Sequence, residues 1–230
     1  IHAGAYPEYV TGARNTPIFQ TSSYVFKDTK HAERLFQLQD FGFIYSRLTN
    51  PTVAALEERL ATLENGSACV AAGSGHAAQF LTFFSLLEPG DEFLASRNLY
   101  GGSITQFGVS FSRLGWTCNF IDATNPENFR KAITPKTKAI FIEVLANPGG
   151  VVIDLESVAI IANDAGIPLI VDNTLATPFL CQTFNWGADI IVHSTTKFLS
   201  GHGTSMGGIL VEGGKFDWIQ NDKFPTMTKP

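Results

Sequence analysis

Cysteine is scarce in this sequence, and its few copies are poorly spaced for disulfides or metal binding. Cys69, Cys118 and Cys181 are far apart and odd in number, and no C-x-x-C pair occurs. The five histidines are scattered without the spacing of metal ligands. We therefore predict no metal site, and we interpret the cysteines as reduced thiols of a cytoplasmic protein.

Basic charge and long apolar runs are also scarce. The chain has 16 Lys and Arg against 21 Asp and Glu, a formal net charge of −5. This balance argues against a nucleic-acid partner, which would require clustered basic residues. No apolar run approaches the roughly 20 residues needed to cross a bilayer, so we predict no membrane partner, and no secretion signal opens the chain. Because the chain starts at Ile1 rather than Met and ends in a polar tail, we expect sequence to be missing at both ends.

Apolar residues are plentiful, and 44% hydrophobic residues suffice for a large core. From residue 68 onward, strand-like runs alternate with helix-like runs. The predicted strands are 68–72, 92–96, 116–121, 139–144, 169–172, 189–194 and 208–211, and predicted helices include 75–87, 101–114, 126–132 and 155–165. Continuous apolar runs such as Ile190-Ile191-Val192 indicate strands covered on both faces. The sequence therefore predicts an α/β fold with a mostly parallel seven-stranded sheet and helices on both faces.

Residues 1–50 differ from the rest because they lack a steady hydrophobic period. We predict that they form an extended N-terminal arm. A clear helix then begins, since Asn50 suits its cap, Pro51 suits its first position and Gly66 suits its end. The predicted organisation is an arm followed by one α/β domain over 51–230.

The stretch GSGHAA at 73–78 follows the first predicted strand and opens a helix. Its spacing fits G-x-G-x-x-A, a form of the dinucleotide fingerprint, and so allows a dinucleotide-binding oxidoreductase. Such a site also requires an acid at the end of the second strand, but Asp91 and Glu92 precede that strand's apolar residues. A helix N-terminus can instead attract a single phosphate, through the free N–H groups of Gly75 and His76. We favour the single phosphate and keep the dinucleotide site as an alternative.

Two other predicted strands end in charged groups. Asp172 follows an apolar strand and should be partly buried with a cationic or hydrogen-bonding partner. It is either a structural cap or ion pair, or the partner of a protonated ligand nitrogen. Lys197 follows the hydroxyls of Ser194 and Thr196, which suit phosphate oxygens, and it is either a solvated loop lysine or, if desolvated, a nucleophile. A phosphate site, a carboxylate and a strand-end lysine together describe one cofactor, pyridoxal 5′-phosphate (PLP).

Five motifs in chain order resemble the Cys/Met-metabolism (transsulfuration) family of PLP enzymes. They are YSR with NPT at 45–52, SGHAA at 74–78, LYGG at 99–102, VDNT at 171–174 and STTK at 194–197. Each motif alone is a weak signal, but five in order form a strong one, and the likeness spans nearly the whole chain to Trp218. The resemblance implies a fold-type-I PLP-dependent transferase with PLP as its cofactor.

The resemblance also implies a role for each matching residue. Lys197 resembles the Schiff-base lysine and, with Tyr100, forms the implied catalytic pair, while Asp172 resembles the partner of the pyridine nitrogen. Tyr45 and Arg47 resemble the pair that reaches the phosphate of a neighbouring subunit, which implies a homotetramer built from two dimers. The implied cofactor-binding residues are Tyr45, Arg47, Ser74, Gly75, His76, Tyr100, Asn147, Asp172, Thr174, Ser194, Thr196 and Lys197.

Within the family, segments 43–50, 74–79 and 213–218 resemble the O-acetylhomoserine sulfhydrylase branch. The implied reaction is γ-replacement on O-acetyl-L-homoserine with sulfide or a small thiol, which gives homocysteine or methionine plus acetate. Methionine γ-lyase and cystathionine γ-synthase stay open, although lyases of the family typically carry a cysteine where Gly102 stands. The family has a C-terminal domain with the arginine that binds the substrate carboxylate, and we expect it beyond Pro230. A non-catalytic fragment that binds no PLP is a further alternative.

Overall fold

The computed structural model describes residues 2–219 and 223–228. The chain forms two compact units, Ile1–Thr62 and Leu63–Pro230. The division that we expect after residue 50 stays a prediction. No helix in the described part of the chain is long and apolar enough to cross a membrane.

The first unit contains one helix and most of a second, joined by irregular chain. Helix α1, Thr29–Phe36, is capped by Asp28, whose side chain accepts a hydrogen bond from the His31 amide. Helix α2, Pro51–Glu64, begins at the proline expected for its first position. The Asn50 side chain accepts from the Thr52 amide at 2.9 Å, which confirms the predicted cap.

The end of α2 differs from the prediction. The residue with left-handed backbone after the helix is Asn65, with φ of 60°, and not Gly66. Gly66 is small for a packing reason, because a Cβ atom there would lie 3.1 Å from the Phe184 ring. The glycine was therefore correctly placed near the helix end, but for the wrong physical cause.

The second unit is built on a seven-stranded sheet within the described residues. Its strands are β1 Ala68–Ala72, β2 Glu92–Ser96, β3 Thr117–Ile121, β4 Thr137–Glu143, β5 Leu169–Asp172, β6 Ile190–His193 and β7 Gly208–Glu212. Their order across the sheet is β1-β7-β6-β5-β4-β2-β3. Strand β7 is antiparallel to its neighbours β1 and β6, and the remaining neighbours are parallel. The prediction of a mostly parallel seven-stranded sheet is confirmed.

Helices alternate with these strands. They are α3 Gly75–Leu86, α4 Gly101–Thr105, α5 Glu127–Ala132, α6 Leu155–Asp164, α7 Thr177–Leu180 and α8 Pro225–Thr228. The single helix predicted over 101–114 is wrong in detail, because after Thr105 the chain widens into a π turn, Gln106–Ser110, and then tightens into a 3₁₀ turn, Phe111–Leu114. The rings of Phe107 and Phe111 are both buried, and we attribute the irregular pitch to their packing, which overrides regular helix geometry.

The core lies on both faces of the sheet. Helix α3 packs against β1, β6 and β7, and α6 packs against β5. The central strands β4, β5 and β6 are buried almost throughout, as their continuous apolar runs predict. On one face, a cluster of phenylalanines fills the layer between helix and sheet, for example with the Phe83 and Phe93 rings 4.1 Å apart.

Candidate active site

The polar segments singled out from the sequence meet at one edge of the sheet. Strands β2, β4, β5 and β6 are parallel, and β1 runs the same way as β6 because both are antiparallel to β7. Their carboxyl ends therefore lie at the same edge, where ligands of open α/β sheets bind. The cavity at this edge has a volume of about 340 Å³, within the range of about 300–1,000 Å³ that is usual for small-molecule sites. It is lined by Ser74, Gly75, His76, Gln79, Tyr100, Ser103, Glu143, Leu145, Asn147, Asp172, Thr174, Leu175, Ser194, Thr196, Lys197 and Met206.

The N-terminus of α3 forms one wall of the cavity. Ser74 caps the helix, since its hydroxyl accepts from the Ala77 amide at 3.1 Å. The first N–H groups of a helix have no partner within it, so Gly75 and His76 present free donors, together with the positive end of the helix dipole. A Cβ atom on Gly75 would lie 2.9 Å from Cβ of Ser194. The glycine therefore lets the helix start pack closely on the segment that carries Ser194, and the two form one candidate anion site.

Asp172 is half-buried at the end of β5. One carboxylate oxygen accepts from the Thr174 amide at 2.9 Å, and the other accepts from Gln79 Nε2 at 3.3 Å. It has no ion pair with any residue in the described ranges. The hydrogen-bonding partner expected from the sequence is present, and neither bond supplies a positive charge, so this carboxylate can accept a proton-bearing ligand nitrogen.

Gln79 is a site residue that the sequence interpretation missed. It is buried on α3 and is 93 positions from Asp172 in the chain. It also bonds the hydroxyl of Ser103, with Nε2 donating at 3.0 Å. A polar residue within the apolar run Ala77–Phe80 was the available signal, because buried amides require partners.

The threonine hydroxyls of the site are partly engaged with backbone. Thr174 Oγ1 accepts from the Ser194 amide at 2.8 Å and so ties the ends of β5 and β6 together. Thr196 Oγ1 accepts from the Gly207 amide at 3.1 Å. Ser194 and Thr196 both line the cavity, as their spacing predicts, whereas Thr174 also braces the loop that carries Ser194.

Lys197 lies on the turn that follows β6 and lines the same cavity. Its side chain is exposed, so the burial that would favour a neutral amine is not supplied by this chain. Among the residues that the structure describes, the Lys197 amine has no hydrogen bond and no ion pair. It is therefore free to react with a group bound in the cavity.

Glu143 is a second carboxyl group in the cavity wall. It is the register partner of Asp172 across β4 and β5, and its oxygens accept from the amides of Tyr100 at 2.7 Å and Asn147 at 3.0 Å. Burial, and then the nearby Asp172 charge, raise the pKa of Glu143 to about 7. Glu143 lies within the predicted strand 139–144, in which the sequence predicted no functional residue. The structure shows that it fixes the two loops that carry Tyr100 and Asn147.

His76 and Tyr100 lie beside each other at the cavity rim. Their ring centroids are 5.9 Å apart with an interplanar angle of 31°. Gly102 makes this arrangement possible, because a Cβ atom there would lie 2.6 Å from the His76 ring. The Tyr100 ring is about half exposed, at 49%, so one face is available to stack on a planar ligand.

Tyr45 and Arg47 belong to the first unit and are described within it. The Arg47 guanidinium carbon lies 5.7 Å from the centroid of the Tyr45 ring. Tyr45 pairs with Ser23 in an isolated antiparallel bridge. Their predicted contact with a neighbouring subunit's phosphate stays a prediction.

The residues around the cavity fit PLP. The uncommitted lysine, the carboxylate without a cationic partner and the free helix amides are the three groups that this cofactor requires for its aldehyde, its ring nitrogen and its phosphate. The dinucleotide alternative fits less well, because Asp91 and Glu92 lie at the amino end of β2 and Ser96 ends that strand. Fold and site together are those of a fold-type-I PLP-dependent enzyme.

Comparison with known proteins agrees. The family model described as Cys/Met metabolism PLP-dependent enzyme matches residues 1–228, and the chain belongs to that family. It is 48% identical over 230 residues to an O-acetyl-L-homoserine sulfhydrylase of Leptospira meyeri, covering all of this chain and 52% of that protein. It is 44% identical over 232 residues to a homocysteine synthase of Schizosaccharomyces pombe, covering all of this chain and 54% of that protein.

A solved structure shares the fold. It is a crystal structure of a protein assigned as an O-acetylhomoserine (thiol)-lyase from Campylobacter jejuni, which carries N′-pyridoxyl-lysine-5′-monophosphate. The TM-score is 0.93 at 38% identity, over 96% of this chain and 55% of that one. The chain thus spans about half the length of the relatives it matches.

Proposed function

We propose that this chain forms the cofactor-binding part of a PLP-dependent γ-replacement enzyme. Its substrates would be O-acetyl-L-homoserine and sulfide or a small thiol, and its products homocysteine or methionine plus acetate. The observation that carries the proposal is the meeting of Lys197, Asp172 and the α3 N-terminus at one cavity. The names of the matched sulfhydrylases and homocysteine synthase favour this reaction over the other reactions of the family.

PLP, when bound, withdraws electrons from the carbon atoms of an amino-acid substrate. Lys197 would hold the cofactor covalently through its amine. Once the substrate amine has displaced it, the Lys197 amine would take the proton from the substrate α-carbon and return it further along the carbon chain of the substrate. Tyr100 would stack on the cofactor ring and assist as an acid or base. Its backbone amide is already fixed by Glu143, which limits how far the ring can move.

Asp172 would keep a proton on the ring nitrogen. Its two hydrogen bonds, from Gln79 and from the Thr174 amide, hold the carboxylate in place and leave room for a charge-assisted bond to that proton. Asn147 would lie near the ring hydroxyl.

The phosphate would be bound at the start of α3. The amides of Gly75 and His76, with Ser74, Ser194 and Thr196, form the proposed cradle, and Thr174 shapes it through the Ser194 amide. Helix N-termini bind phosphate through such free N–H groups. The side chains of Tyr45 and Arg47 would complete the cradle of a neighbouring subunit.

This last assignment is why we also propose a homotetramer built from two dimers. Residues 1–50 would act as an arm toward the neighbouring subunit, and residues 51–230 as the PLP-binding domain. We propose a cytoplasmic location, because three cysteines that are odd in number and far apart in the sequence suit a reducing compartment.

The cofactor assignment is tested by borohydride reduction of the full-length protein with PLP, followed by peptide mapping. Label on Lys197 is expected. Label on another lysine, or a protein that takes up no PLP, would contradict the proposal and favour a non-catalytic fragment.

The reaction is tested by product analysis. With O-acetyl-L-homoserine and sulfide, we expect homocysteine and acetate in equal amounts. With methionine alone, we expect little methanethiol and α-ketobutyrate. Dominant cleavage of methionine would instead identify a methionine γ-lyase, and preferential use of cysteine as the thiol, with cystathionine as product, would identify a cystathionine γ-synthase.

A further inference from the structure

The carboxyl group of Glu64 is buried behind the ends of β5 and β6. Glu64 is the last residue of α2, and the side chains of Glu64, Asn173 and His193 are all 0% exposed. Glu64 Oε1 accepts from Asn173 Nδ2 at 3.0 Å and lies 2.5 Å from His193 Nε2. One oxygen therefore joins residues that are 109 and 129 positions away in the chain.

The two partners of Glu64 are sequence neighbours of site residues. Asn173 follows Asp172, and His193 precedes Ser194. Successive side chains of an extended chain point to opposite sides. Asp172 and Ser194 line the cavity, and their neighbours accordingly turn away from it toward Glu64.

Backbone bonds link these two strand ends to each other and to the neighbouring strands β4 and β7. The Asn173 amide donates to the Val192 carbonyl at 3.0 Å, and the Ser194 amide donates to Thr174 Oγ1. Glu64 adds a further link, because its one side chain contacts both Asn173 and His193. The two strand ends are thus held to each other through one shared side chain.

Burial of the Glu64 carboxyl group lowers stability, which favours a role in placing the strand ends. Burying a carboxylate is unfavourable, and an apolar side chain of similar size is often no less stable. Glu64 Oε2, Asn173 Oδ1 and His193 Nδ1 have no hydrogen-bond partner among the described residues. The contacts made by Glu64 Oε1 are therefore the main compensation for burial of the Glu64 carboxyl group.

We propose that Glu64 is a positioning residue, which sets the placement of Asp172 and of the segment 194–197 by binding Asn173 and His193 from behind. The consequence for PLP rests on the proposed function, whereas the placement of the two segments does not.

The test compares two carboxylate-to-amide variants of the full-length protein, Glu64→Gln and Asp189→Asn. Asp189 bridges the same two strands at their opposite ends, where it accepts from the Leu169 amide at 2.8 Å. Burial raises the pKa of Asp189 to about 6, so at about pH 8 the control residue is ionised. The Glu64→Gln amide accepts more weakly, because hydrogen bonds to charged groups are roughly twice as strong as neutral ones.

The first readout is amide hydrogen exchange of the cofactor-free protein. Glu64→Gln is expected to speed amide exchange in 172–175 and 193–197 at least about tenfold. A change of this size corresponds to the loss of one hydrogen bond to a charged group. Asp189→Asn is expected to leave these segments unchanged. The second readout is the Kd for PLP, which should rise at least about tenfold in Glu64→Gln and stay within about threefold in Asp189→Asn.

Unchanged exchange in Glu64→Gln, or a PLP affinity reduced no more than in Asp189→Asn, overturns the proposal. If the unaltered protein binds no PLP, the proposed function fails, and the exchange comparison alone decides whether Glu64 positions the two segments.

Discussion

The central strands β5 and β6 have different side chains at their two ends, and these side chains have different roles. At the amino end, Asp189 and Leu169 exchange hydrogen bonds that tie one strand to the other. At the carboxyl end, Asp172, Ser194 and Lys197 line a cavity. The comparison shows that one pair of strands serves as scaffold at one end and as candidate site at the other, because parallel strands bring all their carboxyl ends to one edge.

The largest expected effect tests this contrast with two lysines. Lys197→Ala should lower the rate of homocysteine formation at least about a thousandfold, since it removes the amine that moves the substrate proton in the proposed function. Lys136, exposed before the amino end of β4, is the matched control, and Lys136→Ala should leave the rate unchanged. Steady-state assays of both variants check the prediction, and a Lys197→Ala rate within tenfold of the unaltered enzyme would contradict it.

Glu143, at the carboxyl end, should make the free energy of unfolding depend on pH. The folded protein holds the Glu143 proton up to about pH 7, whereas its ordinary pKa is 4.5. The stability contributed by the protonated form is therefore present below about pH 4.5 and is lost as the pH rises through about 7, to the extent of about 3 kcal/mol at about 1.4 kcal/mol per pKa unit. Glu143→Gln should flatten this fall in the free energy of unfolding.

Urea unfolding of the cofactor-free protein at a series of pH values measures the effect. The pKa of Asp189, at the amino end, is raised to about 6. Asp189→Asn should therefore reduce the fall in the free energy of unfolding only below about pH 6. Parallel stability curves for the Glu143→Gln variant and the unaltered protein would show that the Glu143 pKa is not raised.

Asp172→Asn sharpens the comparison within the carboxyl end. The amide can still accept from the Thr174 amide, but it cannot hold a proton on a ring nitrogen. We expect kcat to fall about a hundredfold, as when one preorganised electrostatic partner is removed. An unchanged kcat would remove this role from Asp172.

The smallest expected effect separates two glycines of one motif. Gly75→Ala places a Cβ atom 2.9 Å from Cβ of Ser194, whereas a Cβ atom on Gly73 meets nothing within 4 Å. Overpacking should cost Gly75→Ala about 1–3 kcal/mol in the free energy of unfolding and weaken PLP binding. Gly73→Ala should change the free energy of unfolding by no more than about 0.5 kcal/mol. Equal denaturation midpoints for the two variants would contradict the close approach at Gly75.

Much of the fold follows from local pattern. Strand boundaries such as those of β1 and β2 match the prediction because short apolar runs bounded by turn residues have few other solutions. The sequence predicted one regular helix over 101–114. The irregular turns depend on the packing of Phe107 and Phe111 in the aromatic core, which is a tertiary effect. Asp172 and Ser194 could be found because they stand at the ends of buried strands, whereas Tyr100 and Asn147 were found through the family resemblance.

What the sequence by itself determined is the order of elements, the parallel character of the sheet and the polar groups at its carboxyl edge, since apolar period, turn residues and helix caps act over a few neighbouring positions. Only the tertiary structure decided which distant groups support them. Gln79 reaches Asp172, Glu143 holds the Tyr100 loop, and Glu64 binds behind both strand ends. These contacts depend on the spatial order of the strands and on burial, and neither is encoded in the local pattern of the chain.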